Sequence, residues 1–174
     1  MVIKVISNYL LLCILVLQQI NINICVDPNK VVIAINCGGE EYTDGDGTLY
    51  EADNYFSTGT TSDHGSQYDI ELTKDEELYH SERWADKDLE YNVPFNVEAG
   101  KFVLILKFSE VYFQQSGEKV FDIALGKKIV IKDLDIFDII GKAKAHDEYI
   151  EFEIRDDGLL YYAVSKFKLI RIHQ

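Results

Sequence analysis

The residues best suited to contact a ligand are aromatic, and they lie in loop-like surroundings. Tyr112 and Phe113 are adjacent at the end of an apolar segment. Adjacent residues on an extended chain point in opposite directions, so at least one ring should lie outside the core. Trp84 follows a charged pair, and His64 lies in a polar loop. An exposed ring beside carboxylates and amides suits a sugar, whose face is a patch of C–H groups and whose edges carry hydroxyls.

Each of these residues also has a purely structural interpretation. A Tyr–Phe pair at the end of a strand commonly packs in a core. Trp84 can be a core residue flanked by a surface ion pair, and His64 can complete a turn. The residue types alone therefore leave sugar recognition and packing both open.

Patterns for catalysis or metal binding are weak or absent. Asp44–Gly47 has the Asp-Gly alternation of a calcium loop, but Thr48 and Tyr55 stand where further ligands are needed. No zinc spacing, phosphate loop, dinucleotide pattern or Gly-x-Ser-x-Gly occurs. We predict no catalytic residue, metal or cofactor. An acidic glycosidase stays as an alternative, because 30 acidic residues do not single out the facing carboxylate pair that it would need.

The chain has 174 residues, which suits one domain with one substantial core. Its formal net charge is −13. A surface this acidic repels polyanions, so we do not expect nucleic acid or anionic membrane as partners.

Short apolar and alternating segments, separated by turn residues, predict an all-β antiparallel sandwich with few short helices. Between Gly38 and Gly65 lies a long polar loop that contains several aromatic residues. In Tyr149–Ile154 every second side chain should face the core. The predicted strands are Val31–Ile35, Phe102–Phe108, Lys119–Leu125, Lys128–Phe137, Tyr149–Ile154, Leu159–Val164 and Phe167–Ile172.

The amino terminus has the composition of a secretory signal peptide, with Lys4 followed by the apolar stretch Leu10–Leu17. We assign residues 1–25 to this segment and residues 26–174 to the domain. The alternative is a buried amino-terminal strand or helix. No later segment reaches transmembrane length. Cys37 is expected to be the single cysteine of the mature domain, so a disulfide framework is not predicted.

Several longer segments together resemble the malectin family, over about residues 31–155. They are Val31–Glu40, the Asp44, Gly47, Tyr50 and Asp53 spacing, Ser62–Gly65, Tyr79–Trp84, Tyr91–Pro94, Leu106–Phe113, Lys119–Asp122, Lys132–Asp138 and Ala145–Glu148. The resemblance implies a jelly-roll-like β-sandwich in the endoplasmic reticulum that acts as a non-catalytic lectin. Its ligands would be diglucosylated high-mannose N-glycan, maltose and nigerose, in early N-glycoprotein processing or quality control.

Carried over position by position, the resemblance implies carbohydrate contacts at His64, Trp84, Tyr112 and Phe113. Tyr112 and Phe113 match family residues unchanged, while His64 and Trp84 stand where the family has tyrosines. Both replacements keep a planar ring. An alternative of another class is a glycan-independent interaction module that contacts oligosaccharyltransferase-associated proteins of the glycosylation machinery.

The carboxyl end departs from the family pattern after Gly158. The sequence there does not show the family's binding aspartate, final strands or membrane anchor. Two interpretations remain, a truncated gene product whose last strands are missing and a shortened relative that no longer binds glycan. The malectin-like domain is therefore expected to be shortened or divergent after about residue 158.

Overall fold

The computed structural model describes residues 1–7, 30–94, 97–154 and 167–171, the last of these as backbone only. It contains short helices α1 (Glu77–His80) and α2 (Ile136–Ile140). The strands, numbered in chain order, are β1 Val2–Ser7, β2 Val31–Asn36, β3 Tyr42–Thr43, β4 Leu49–Tyr50, β5 Thr60–Ser62, β6 Glu82–Trp84, β7 Leu89–Tyr91, β8 Gly100–Phe108, β9 Phe121–Leu125, β10 Lys128–Leu134, β11 His146–Ile154 and β12 Phe167–Arg171.

Four antiparallel strands form the first sheet, in the order β11, β8, β1, β2. β8 pairs with β11 along its whole length, from Gly100 opposite Ile154 to the end of the strand. β1 lies between β2 and β8, and Ile3 is opposite both Ile35 and Leu106. These strands are rich in β-branched side chains, which pack well on a pleated surface.

The second sheet is also antiparallel, in the order β10, β9, β12, β7. β9 is buried along its length. It joins β10 through a tight turn in which Gly126 has a φ of 60°, a conformation that glycine adopts without steric cost. β12 pairs with both neighbours, and Phe167 is opposite Leu125 and Tyr91.

The main core lies between the two sheets. It contains inward-facing residues of the first sheet, such as Ile3 and Leu104, and of the second, such as Ile123 and Leu125. A second apolar cluster covers the opposite face of the first sheet, where Tyr50 packs with residues of α1 and the loop after β8. Together with β5 paired to β6, these packed layers position the loops described below.

The all-β sandwich predicted from the sequence is confirmed, and most strands lie close to their predicted positions. In β11, Ile150 and Phe152 are buried as the alternation predicts. The prediction of a strand over Lys128–Phe137 is wrong at its end. The Asp135 side chain accepts a hydrogen bond from the Asp138 N–H at 3.1 Å and starts α2 instead. The predicted strand Leu159–Val164 lies outside the described residues.

Residues 2–7 form a buried strand, which was the alternative interpretation of the amino terminus. Val2 and Ile3 are almost fully buried, and the Lys4 ammonium donates a hydrogen bond to Thr48 Oγ1 at 3.0 Å. The rest of the predicted signal peptide lies outside the described residues, so its removal stays a prediction. No helix in the described part of the chain has the length and apolar character needed to cross a membrane.

Candidate functional site

The loop that follows β8 presents one aromatic ring to solvent and turns its neighbours inward. Val111 is buried, Tyr112 is 61% exposed, and Phe113 is half-buried. The Tyr112 and Phe113 rings meet edge to face, with centroids 5.1 Å apart. The exposure of Tyr112 confirms the expectation that at least one ring of the pair lies outside the core.

His64 joins this pair from the other side. Its ring centroid lies 5.5 Å from that of Tyr112 and 5.7 Å from that of Tyr68. Lys142 extends the row, because its Nζ lies 4.8 Å from the centre of the Tyr68 ring. We call His64, Tyr68, Tyr112 and Phe113 the ring cluster. Tyr112 is the exposed ring of this cluster, and the other three rings are half-buried around it.

The His64 ring is oriented by the short 3₁₀ turn His64–Gln67. The Gln67 side-chain amide lies 3.2 Å from His64 Nδ1, and the His64 N–H donates to Ser62 Oγ at 3.3 Å. Gly65 allows this turn to approach α1 closely, because a Cβ there would lie 2.6 Å from the His80 carbonyl oxygen. Any other residue at position 65 would push the turn away.

Trp84 is 44% exposed and lies on β6, opposite Thr60 of β5. In the part of the chain that the structure describes, its indole makes no ring contact with the ring cluster. Alternate residues of a strand share a face, so Trp84 lies on the same side of β6 as Glu82. The structure thus brings together three of the four predicted site residues, His64, Tyr112 and Phe113, and Trp84 is not in contact with their rings.

A buried ion cluster underlies the rings. Glu110 is 2% exposed, and its Oε1 accepts hydrogen bonds from the backbone N–H groups of Tyr112 at 2.8 Å and Phe113 at 2.9 Å. Its Oε2 lies 3.5 Å from Lys119 Nζ, which also contacts Glu82 Oε2 at 2.8 Å. The Glu82 and Lys119 side chains are 22% and 31% exposed. We call Glu82, Glu110 and Lys119 the buried triad, after Glu110.

The pKa shifts of Lys119 and Glu82 favour their charged forms. Burial lowers the pKa of Lys119, but the attraction of Glu82 and Glu110 outweighs it and the net shift is upward. Burial raises the pKa of Glu82, but the Lys119 ammonium outweighs it and the net shift is downward. Both groups are therefore ionised at neutral pH.

The acidic Asp44–Gly47 segment forms a turn. Asp44 Oδ1 accepts the N–H groups of Asp46 and Thr48 at 3.0 and 2.8 Å, and its other oxygen lies 3.8 Å from Lys4 Nζ. Among the described residues, no group of three or more His, Cys, Asp or Glu side chains is arranged to hold a metal ion.

A family model for the malectin domain matches residues 31–171 of this sequence. The chain belongs to the malectin family. Mouse malectin is 44% identical over 135 residues, which are 76% of this chain and 46% of the mouse protein. Zebrafish malectin is 40% identical over 142 residues, covering 79% of this chain and 50% of that protein. The chain thus spans about half the length of the curated malectins that it matches.

Solved structures with this fold include larger proteins. A β-glucuronidase from Bacteroides uniformis superimposes with a TM-score of 0.64 at 16% identity, covering 82% of this chain and 16% of the enzyme. The ANX2 ectodomain from Arabidopsis thaliana has a TM-score of 0.64 at 15% identity, covering 79% of this chain and 43% of the ectodomain. At these identities the likeness to malectin-like domains shows the fold alone.

The malectin match extends further along the chain than the sequence motifs indicated. It runs to residue 171 and includes β12, whereas the motifs were expected to fade after Gly158. β12 is an inner strand of the second sheet, between β9 and β7. Within the segment predicted to diverge after about residue 158, residues 159–166 and 172–174 lie outside the described residues.

Sequence reasoning missed Tyr68 and the buried triad. Tyr68 lies four residues after His64, a spacing that a 3₁₀ turn converts into ring contact. Glu110 lies two and three residues before the amides that it binds, which is a usable local signal. Glu82 and Lys119 gave none, because their contact joins residues 37 apart in sequence.

Proposed function

We propose that this malectin-family domain is a lectin that binds a glucose-containing oligosaccharide at the ring cluster. The observation that carries this proposal is Tyr112, an exposed ring fixed edge-on between Phe113 and His64. Such a ring offers a rigid apolar face for the C–H patch of a pyranose, while its hydroxyl and His64 Nε2 can bond the sugar hydroxyls. Trp84 would contact a more distant sugar unit.

The proposed ligand class is glucosylated N-glycan with α-linked glucose ends, represented by maltose and nigerose. Family membership and the curated malectins support this choice. The corresponding place of action is the lumen of the endoplasmic reticulum, in early glycoprotein processing or quality control. The replacement of two family tyrosines by His64 and Trp84 bears on which glucoside is preferred, since indole donates a hydrogen bond but does not accept one.

We further propose that the domain is not catalytic. A glycosidase needs one carboxyl group whose pKa is raised, so that it can protonate the leaving oxygen. The Glu82 carboxylate beneath the ring cluster has the opposite character. Lys119 lowers the pKa of Glu82, and Glu110 is buried with one oxygen occupied by two backbone amides.

The test is calorimetric titration of the folded chain with maltose and nigerose, with cellobiose as the negative control. We expect binding of the α-glucosides that is lost in the Tyr112→Ala, Phe113→Ala double variant. Tyr149→Ala is the matched control, because Tyr149 is a similarly exposed tyrosine on β11. Failure of the folded wild type to bind either α-glucoside would contradict the lectin and favour a glycan-independent interaction module.

A further inference from the structure

The exposed position of Tyr112 raises the question of what holds it. A ring that is 61% exposed has only its edge contacts with Phe113 and His64, so its orientation depends on how its backbone is held. Its backbone is bonded through the Tyr112 and Phe113 N–H groups to one buried carboxylate oxygen of Glu110. Hydrogen bonds to an ionised acceptor are the stronger kind, so this contact can fix the backbone on which both rings are mounted.

The second oxygen of Glu110 ties this loop to the opposite side of the site. Lys119 Nζ lies between Glu110 and Glu82, and Glu82 is on β6. β6 pairs with β5 through Ser62, whose hydroxyl accepts the N–H of His64. A continuous chain of polar contacts therefore runs beneath the rings, from the loop that carries Tyr112 to the turn that carries His64.

The charges in this chain of contacts make Glu110 difficult to replace. Two carboxylates share one ammonium, and Glu110 is almost fully buried. Removing the Glu110 carboxylate would leave two backbone N–H groups without their acceptor and Lys119 with one partner fewer. Uncompensated polar groups are more costly than the bonds themselves, so the loop should rearrange rather than tolerate the loss.

We propose that Glu110 is a positioning residue for ligand binding, which sets the Tyr112 and Phe113 rings against His64 through the buried triad. The ligand-binding part of this inference rests on the proposed lectin function. The positioning part concerns the geometry of the unliganded site and can be measured without any sugar.

The experiment compares amide hydrogen exchange by NMR in the full chain and in Glu110→Gln and Glu110→Ala. The wild-type amides of Tyr112 and Phe113 should exchange slowly for an exposed loop. Glu110→Ala should speed their exchange about tenfold or more, and Glu110→Gln should have a smaller effect, because its amide oxygen still accepts. Glu110→Gln also keeps the side-chain shape, which provides an answer if Glu110→Ala fails to fold.

Glu118→Gln is the matched control on the same loop. Glu118 is exposed, and its Oε2 accepts the N–H groups of Gln114 and Gln115 at 2.9 and 3.0 Å. This variant should change exchange at Gln114 and Gln115 and leave the Tyr112 and Phe113 amides as in the wild type. A general loosening of the loop would instead move all four amides in every variant.

Titration of the same proteins with maltose tests the ligand-binding part of the inference separately from the positioning part. If wild type binds, Glu110→Ala should weaken binding about tenfold or more, with partial recovery in Glu110→Gln. If wild type does not bind but the amide pattern appears, the lectin proposal fails and the positioning role stands. Unchanged Tyr112 and Phe113 exchange in a folded Glu110 variant would overturn the inference, whatever the sugar result.

Discussion

The residues of this site differ in how strongly their surroundings hold them. Tyr112 is exposed, while Glu110 beneath it is almost fully buried and ion-paired. The exposed side can therefore be apolar, because its orientation is determined by charged groups that lie beneath it. This arrangement resembles the support of metal ligands by outer residues, although only hydrogen bonds and one ammonium are involved here.

The buried triad should make the stability of the domain depend on pH in a defined window. Burial alone would raise the pKa of Glu82, but Lys119 holds it below its ordinary value of 4.5. The stability that ionised Glu82 gives to the fold is therefore complete above about pH 4.5 and is lost as the pH falls through the folded pKa. Against the effect of burial, Glu82 and Glu110 raise the pKa of Lys119 above 10.5. The stability that ionised Lys119 gives to the fold is therefore complete below about pH 10.5 and is lost as the pH rises through the folded pKa.

We therefore predict that Glu82→Gln lowers the thermal midpoint by about 2–5 °C near pH 7, and that this difference shrinks as the pH falls below 4.5. Calorimetric melting over this pH range measures it. Glu41→Gln, at an exposed carboxylate, should track the wild type throughout. A deficit in Glu82→Gln of equal size at every pH would mean that ionisation of Glu82 is not what stabilises the fold.

At the residue scale, the sequence was informative where the signal was local. The adjacent rings of Tyr112 and Phe113 predicted an exposed aromatic because of strand alternation alone. Glu110, by contrast, is one of 30 acidic residues, and nothing in its type marks it as buried. The pairing of Lys119 with Glu82 depends on how β6 is placed in the fold, which a pattern search along the chain does not reveal.

Among the secondary-structure elements, too, some could be predicted from a local sequence signal and others could not. β11 was predictable because its Tyr149–Ile154 segment alternates between core and solvent, and β8 because it is a continuous apolar run. The end of β10 was not, because apolar residues continue past Leu134 and Asp135 converts them into a helix by capping it. The composition of residues 2–7 fits both interpretations of the amino terminus, because a buried β-strand and the start of an apolar leader have the same composition.

The role of β1 can be tested at a single position. Ile3 faces the main core and is 1% exposed. We predict that Ile3→Asp in the full-length chain lowers the free energy of unfolding by about 3 kcal/mol or more, because an unpaired carboxylate would be buried between the sheets. Urea denaturation followed by far-UV circular dichroism measures this change.

Ser7→Asp is the matched control for β1, since Ser7 ends the same strand and is only half-buried. Ser7→Asp should lower the free energy of unfolding much less than Ile3→Asp does. Equal and small effects at both positions would show that β1 does not contribute to the folded sheet. In that case β2 and β8 would have to be covered by another segment.

At the scale of the whole molecule, composition and strand spacing were sufficient for the all-β class, and longer motifs for the family. Sheet order was not predictable, because it depends on pairings between distant segments. β12 pairs with β7 and β9, about 80 and 45 residues earlier in the chain. Cys37, just after β2 of the first sheet, lies in the core between the two sheets, where it is 0% exposed.

Cys37 therefore reports on separation of the sheets. Burial raises the pKa of its thiol to about 12, so both occlusion and a very small thiolate fraction protect it from alkylation. In a Cys13→Ser, Cys25→Ser background, we predict that Cys37 reacts with a thiol reagent at least about 1,000-fold more slowly than an added Thr58→Cys, since position 58 is exposed.

The same alkylation rate connects the fold with the proposed ligand. A sugar that binds only the folded domain lowers the population of opened molecules, so saturating maltose should slow alkylation of Cys37 and leave that of Thr58→Cys unchanged. Cellobiose should affect neither. Rapid alkylation of Cys37 without sugar would mean that the two sheets do not form a closed core. A slow rate that maltose leaves unchanged would retain the sandwich and count against sugar binding.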